Sequence, residues 1–449
     1  MAWERKVMRT VRVRNEQERG TLAQLFIQIS DAGGDISGTE MLTETSQHVV
    51  RDITIYAEDE EHVERIVNAM RANPRTQVLQ VRDEVLELHQ KGKIAIRSRY
   101  PIDSLTTLHR VYTPGVAEVC LKIAADPSLA WMYTSISHMV AIVTDGTAVL
   151  GLGDIGPLAG MPVMEGKAML METLVGLSGI PILLNTKDPE EIISTVAAIA
   201  PTFAAIQLED ISAPRCFEIE DRLQAMLDIP VMHDDQHGTA AVCLAAVMGA
   251  TKQTGTNLSK ATIGQIGLGA AGNAIAKMLM RLTGNPVYGA DLSEEALTRF
   301  EKDGGRKSNL KEIMSECDIV IATTGVPNLI KPEMVRKGQV ILALSNPNPE
   351  IDPDVALERG AAFAADGKSV NNVLGFPGIF RGAVDAHSPR ISHEMLVAAA
   401  ETIAKMAPEG ELVPNPLDKK VHRAVARAVA ETAIKQGLAR EKYVPYVED

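Results

Sequence analysis

Thr262-Ile263-Gly264-Gln265-Ile266-Gly267-Leu268-Gly269-Ala270-Ala271-Gly272 is the stretch that decides the fold, because an apolar strand runs straight into a glycine turn there. An amphipathic helix over Asn273–Leu282 follows at once. In such a strand-turn-helix the first glycine permits the tight turn, the second lets the backbone approach a pyrophosphate, and the third lets helix and strand pack closely. Gly267, Gly269, Ala270, Ala271 and Gly272 are therefore the expected cradle for a dinucleotide, with the helix N-terminus supplying donors and partial positive charge. Asp291 closes the next strand, where an acid can bind the adenosine ribose hydroxyls. A carboxylate there repels a 2′-phosphate, which favours NAD over NADP, although Arg306 and Lys307 downstream offer a compensating phosphate site.

Apolar strands alternate with helical patterns on both sides of this stretch. The strands fall at Val140–Val143, Ile182–Leu184, Phe203–Leu208, Pro230–Met232, Ala261–Ile266, Val287–Ala290, Ile319–Ala322 and Val340–Leu344. Alternation of this kind means parallel sheets with helical crossovers, an α/β fold. A second glycine pattern, Gly151-Leu152-Gly153-Asp154-Ile155-Gly156, lacks a following strand with a terminal acid. With Pro157 and Pro162 expected to break any immediate helix, it reads as a tight turn before a helix beginning around Val163. Two helices, Ile391–Lys405 and Lys419–Lys435, end the chain.

The first eighty-odd residues form a unit of their own, with strands at Val7–Arg14, Ile36–Thr45, His48–Ala57 and Thr76–Val81 and helices at Thr21–Ala32 and Glu61–Ala72. The order βαββαβ fits a ferredoxin-like sheet. The Gly20 turn into a helix, in NEQERGTLAQL, also resembles the ACT regulatory domain, a small effector-binding module often paired through its sheet. Effector binding and a mere dimerisation or spacer role both remain open for it. The expected division is 1–88 for this module, 89–237 for a parallel-sheet substrate and metal domain, and 238–449 for a Rossmann NAD-binding domain with C-terminal helices.

A chain of 449 residues has room for about three domains. Its 45 Lys+Arg against 58 Asp+Glu leave a net charge of -13, which argues against nucleic acid as a partner. The charged N-terminus is unlike a signal peptide and no apolar run is long enough for a membrane helix, so no membrane partner is expected and the cytoplasm is the simplest location. Four scattered cysteines without a CxxC pair suggest neither a disulfide framework nor a structural zinc site.

Gln207-Leu208-Glu209-Asp210-Ile211 and His233-Asp234-Asp235-Gln236-His237 each end an apolar strand, with one helix near Pro214–Met226 between them. Successive parallel strands end on the same edge of a sheet, so Glu209 or Asp210 and Asp234 or Asp235 can converge in one crevice. Packed carboxylates need a cation, and all-oxygen ligation suits Mg²⁺ or Mn²⁺ rather than zinc. His233 and His237 fit a supporting role better than ligation. Tyr112, in a YTPGV segment, and Lys167, in PVMEGK, lie between the small module and these strands. A lysine near the start of a helix feeding a metal crevice can have a lowered pKa and act as a base.

YTPGVAEVC, VTDGTAVLGLGDIGP, PVMEGKAML, QLEDISAP, DDQHGTA, GLGAAG, LSNPNPE and NNVLGFPGIFRGA together resemble the malic enzyme family in order and spacing, from about Ile94 to the C-terminus. The resemblance implies oxidative decarboxylation of L-malate to pyruvate and CO₂ with NAD or NADP and a divalent metal. It implies Tyr112 as the acid, Lys167 as the base and Asp234 as a supporting acid near the lysine. It also implies Glu209, Asp210 and Asp235 as metal ligands, with Asn346 and Asn372 as the amides that hold malate and Asn371 beside them; Asn346 is counted with the cofactor site as well. Larger members carry an arginine in the segment where this chain has Ala148, as the shorter bacterial branch does, which leaves open what pairs with the substrate carboxylates. A homodimer or larger homo-oligomer and a small effector at the N-terminal module complete the expected partners. The competing readings are malolactic enzyme, which retains NAD and makes lactate, a non-catalytic NAD-sensing regulator, and an amino-acid dehydrogenase. The last leaves the carboxylate cluster unexplained.

Overall fold

The computed structural model describes residues 7–149, 151–368, 370–441 and 443–444. The chain folds as two compact units, Met1–Lys93 and Ile94–Asp449.

In the first unit, β1 (Val7–Glu16), α1 (Thr21–Asp31), β2 (Asp35–Glu44), β3 (His48–Ala57), α2 (Glu60–Arg71) and β4 (Thr76–Arg82) follow one another, and a short α3 (Glu84–His89) closes the unit. The sheet order is β2-β3-β1-β4 and its neighbours are antiparallel. Alternate residues of the two central strands, Val11, Val13, Ile53 and Ile55, bury against Leu25, Ile29, Ile66 and Met70 of the helices. Asp59 caps α2 by accepting the His62 N–H.

The second unit opens with α4 (Leu105–Val111), α5 (Gly115–Ala125) and α6 (Leu129–Tyr133), which the sequence pattern did not resolve. It then alternates: β5 (Met139–Thr144), α7 (Pro157–Val175), β6 (Ser178–Leu183), α8 (Pro189–Ile199), β7 (Ala205–Leu208), α9 (Arg215–Met226) and β8 (Val231–His233). These four strands make a parallel sheet in the order β6-β5-β7-β8. A π-type turn, Asp234–Gly238, leads into α10 (Thr239–Thr254).

The third stretch runs β9 (Ile263–Ile266), α11 (Ala270–Thr283), β10 (Tyr288–Ala290), α12 (Glu294–Lys302), β11 (Arg306–Lys307), α13 (Leu310–Glu316), β12 (Ile319–Ala322), β13 (Val340–Ala343), α14 (Pro353–Glu358) and β14 (Phe363–Asp366). It ends in α15 (Phe376–Asp385), α16 (His393–Met406) and α17 (Lys419–Lys435). The six strands are parallel in the order β11-β10-β9-β12-β13-β14, a doubly wound sheet whose order reverses at β9. One core joins both parallel sheets: Val140 and Ile142 belong to the same apolar cluster as Ile263, Ile319, Val340 and Leu342, and residues of α10 and α16 belong to it too.

One local expectation fails. α7 begins at Pro157, not near Val163, and carries Pro162 within it. Proline at the first helical position costs nothing, since its missing N–H would be unpaired there anyway, and Gly156 at φ 78 turns the chain into the helix. Among the described residues no helix is long and apolar enough to cross a membrane.

Candidate active site

β7 and β8 are adjacent parallel strands, so the residues that follow them lie side by side at one edge of the sheet. Ligand oxygens of Glu209, Asp210 and Asp235 all lie within 4.8 Å of one another. Glu209 and Asp210 are buried. The Asp210 N–H donates to Asp235 Oδ2 at 3.0 Å, and Gln207 Nε2 donates to Glu209 Oε2 at 2.6 Å. Asp210 stands at φ 54, and its carbonyl accepts the N–H groups of Thr147 and Ala148, which locks the β5 loop onto the β7 loop.

This concentration of negative charge shifts protonation. Burial, then repulsion from Asp235 and Glu209, pushes the Asp210 carboxyl up to about 9. Glu209 is raised as well, by burial first, although Lys167 opposes the shift. Asp210 Oδ2 is buried without a hydrogen-bond partner among the described residues. An unpartnered carboxylate oxygen beside two others, with no cysteine or histidine in the set, is the donor arrangement for a hard cation such as Mg²⁺ or Mn²⁺.

Lys167, in the middle of α7, reaches into the same crevice. Its ammonium pairs with Asp234 and lies 3.0 Å from Glu209 Oε1 and 4.6 Å from the centre of the buried Phe376 ring. Asn372 Nδ2 donates to Asp234 Oδ2 at 2.9 Å, so Asp234 joins the lysine to the loop ahead of α15. The sequence-based suggestion of a lowered lysine pKa does not hold among these side chains. Burial does disfavour the ammonium, but Asp234, Glu209 and Asp235 outweigh it and the pKa is raised. Asp234 itself is pushed up to about 6, by burial ahead of every other cause.

The histidines are supports. His237 Nε2 meets the buried Glu220 Oε2 at 3.0 Å, and the His233 N–H donates to Glu220 Oε1 at 2.8 Å. Gln236 Nε2 donates to the same carboxylate, so Glu220 of α9 fixes the turn that presents Asp234 and Asp235. Sequence reading missed Glu220; a charge among Cys216, Ile219 and Leu223 on the buried face of α9 was the available signal. It also missed Arg215, which donates to Thr147 Oγ1 at 2.6 Å and pairs with Asp145 at 2.9 Å, next to Ala148. A Cβ at Gly238 would overlap Asp234 Oδ1, so glycine there leaves room for that carboxylate.

The remaining candidates separate. Asn371 caps the turn after it, its Oδ1 accepting the Val373 N–H, and is exposed. Asn346 follows β13 and is half-buried. Tyr112 ends α4 with 66% of its surface exposed, and among the described residues no hydrogen bond joins it to Lys167, Asp234 or the three acids.

At the glycine turn, Gly267 has φ 87 and a Cβ there would meet Thr323 O at 2.7 Å. A Cβ on Gly272 would overlap Gly267 O, whereas one on Gly269 would meet nothing within 4 Å, leaving open space in front of α11. Ala270 and Ala271 form the first turn of that helix. Asp291 Oδ2 accepts the Leu268 N–H at 2.7 Å, which puts the acid against the turn. Lys307 is engaged with Glu294, and Arg306 NH1 donates to Tyr288 Oη at 3.2 Å.

Residues 91–224 match the family profile of the malic enzyme N-terminal domain and residues 363–436 that of the malic enzyme NAD-binding domain. Between them, residues 228–328 match the NAD-binding domain of D-isomer specific 2-hydroxyacid dehydrogenases. The chain is 56% identical over 430 residues to NAD-dependent malic enzyme 1 of Bacillus subtilis (strain 168), covering 95% of this chain and 98% of that protein. It is 42% identical over 463 residues to the NAD-dependent malic enzyme of Geobacillus stearothermophilus, covering 97% and 96% respectively. The crystal structure of malic enzyme from Pyrococcus horikoshii Ot3 superposes with a TM-score of 0.76 at 40% identity, covering 80% of this chain and 92% of that one.

Proposed function

The chain belongs to the malic enzyme family, and from this premise we propose how its residues divide the reaction. The activity is oxidative decarboxylation of L-malate to pyruvate and CO₂, with NAD as the cofactor. The observation that carries the assignment of roles is the contact of one buried lysine with both Asp234 and the Glu209 corner of the acidic triad.

Glu209, Asp210 and Asp235 hold the divalent cation, and the Gly267–Gly272 turn with Asp291 holds NAD. When bound, the cation supplies Lewis-acid polarisation of the substrate oxygens and NAD supplies the hydride acceptor. Lys167 takes the proton of the C2 hydroxyl. Commitment of Glu209 to a cation removes part of the attraction that keeps the lysine protonated, leaving Asp234 to orient it. Asn372 donates to the same Asp234 oxygen that pairs with Lys167 and, with Asn346, offers amides to malate; Asn371 is their exposed neighbour. Tyr112 delivers a proton to C3 after CO₂ has left. Lys167→Ala should stop turnover while NAD still binds; unchanged turnover would remove the lysine from the mechanism.

We assign the N-terminal unit as a ferredoxin-like, ACT-type module that binds a small effector or helps hold an oligomer. The βαββαβ order, the left-handed Gly20 ahead of α1, and the apolar side chains exposed on its edge strands, Met41 and Leu42 on β2 and Leu79 and Val81 on β4, support that reading. The enzyme is cytoplasmic in this account, which accords with four free cysteines.

A further inference from the structure

We infer that NAD and the divalent cation bind cooperatively, and that the coupling runs through the seam between α11 and the Asp234–Gly238 turn, with Asn273 as its positioning residue. The inference rests on the reading of Glu209, Asp210 and Asp235 as the cation site and of the Gly267–Gly272 turn as the dinucleotide site. Asn273 directly follows Gly272, and Gln236 directly follows Asp235. Both side chains line one cavity of about 240 Å³, which also touches Phe217 and Glu220 of α9 and His393 of α16. The sequence neighbours of the two sites therefore meet at a single gap.

That gap is the loose part of an otherwise closed contact. Arg299 of α12 lies over the Phe217 ring at 4.6 Å, and Ala270, in the first turn of α11, packs against the apolar cluster that holds Leu208, Ile211, Cys216 and Ile219. α11 also packs along the Asp234–Gly238 turn itself. Elements joined at these points and parted between them can close by a small sliding movement, the ordinary way in which packed helices shift.

Asn273 marks what the closed arrangement gains. Its side chain is 2% exposed, yet its Oδ1 has no hydrogen-bond partner among the described residues. Leaving a buried acceptor unbonded is costly. On the same cavity, Gln236 Nε2 donates to Glu220 Oε2 at 2.8 Å, and an amide nitrogen carries two hydrogens. The second hydrogen is the donor that Asn273 lacks, and closing the seam brings the two together. Asp235 settles on a cation together with Glu209 and Asp210, which places Gln236; the first turn of α11 settles on a pyrophosphate, which places Asn273. Each ligand then meets a seam that the other has already closed, and linkage makes the effect reciprocal.

Calorimetry on the full-length protein without malate tests this, with Mn²⁺ and NAD each titrated in the absence and in the presence of the other. Saturating Mn²⁺ should lower the Kd for NAD about fivefold or more, and saturating NAD should lower the Kd for Mn²⁺ by the same factor. Asn273→Ala removes an oxygen that bonds nothing in the open seam. Each ligand alone should then bind within about threefold of its normal Kd, while the coupling factor falls to about one. Ala274→Leu fills the gap from α11 and should lower the factor in the same way with Asn273 intact. Thermal denaturation checks that both variants fold. A factor of about one in the unmodified protein overturns the inference while leaving both sites in place, and a normal factor in either folded variant overturns the seam as its route. Mn²⁺ binding that survives Asp235→Ala overturns instead the reading of the cation site on which the inference stands.

Discussion

Lys167 Nζ lies 3.0 Å from Glu209 Oε1, so the base and one corner of the carboxylate triad are in direct contact. Metal occupancy and proton transfer are thereby linked through a single pair of atoms. Glu209→Gln should weaken Mn²⁺ binding and also lower kcat at saturating Mn²⁺, by about 10²-fold or more. Calorimetry of Mn²⁺ binding beside kcat checks this, and a variant with weaker binding but wild-type kcat at saturation would break the link.

The protonation of the acids gives a pH dependence with a definite sign. Asp210 is pushed up to about 9 and Asp234 to about 6, so the metal-free folded protein holds protons that the unfolded chain has already lost. Wherever the folded state binds more protons, unfolding free energy falls as pH rises. The melting temperature of the metal-free protein should therefore fall from about pH 4, where the unfolded carboxyls ionise, to about pH 9, and the increase caused by Mn²⁺ should grow over the same window. A Mn²⁺-induced shift independent of pH would contradict the assignment.

Gly238→Ala tests the seat of Asp234. The added methyl overlaps Asp234 Oδ1, and relieving that overlap turns the carboxylate whose other oxygen, Oδ2, meets both Lys167 and Asn372. Overpacking of this kind costs about 1–3 kcal/mol of stability, and activity should fall by a larger factor than the lost stability alone explains. Thermal denaturation and kcat measured on the same sample check it; normal kcat in a destabilised protein would mean that the pair tolerates displacement.

Asp291→Ala should reduce the preference for NAD over NADP by about tenfold, equivalent to roughly 1.4 kcal/mol. Because Asp291 Oδ2 also accepts the Leu268 N–H, the variant should bind NAD itself more weakly. The ratio of kcat/KM for the two cofactors is the readout, and an unchanged ratio would place selectivity elsewhere.

Much of this was legible before the fold. The Gly267–Gly272 turn carries its meaning locally, since the strand before it, the helix after it and Asp291 are all close in sequence, and the structure sets them in a doubly wound sheet. The convergence of Glu209, Asp210 and Asp235 followed from one rule, that neighbouring parallel strands end on the same edge. What stayed hidden depends on distant contacts. Glu220 reads as an ordinary helix charge until the Asp234–Gly238 turn is laid over it, and Phe376 reads as a core residue until Lys167 stands on its ring. α4 to α6 escaped notice because none of their residues is fully buried, so the pattern that marks a buried helix face is weak there. The two-residue strand β11 was too short and too charged to show an alternating pattern.

The central claim is that this constellation oxidises and decarboxylates malate. The most direct test follows NADH absorbance with L-malate, Mn²⁺ and NAD while pyruvate and lactate are quantified at the end point. The account predicts NADH and pyruvate in equal amounts. Lactate without net NADH would contradict it and mark a malolactic enzyme instead.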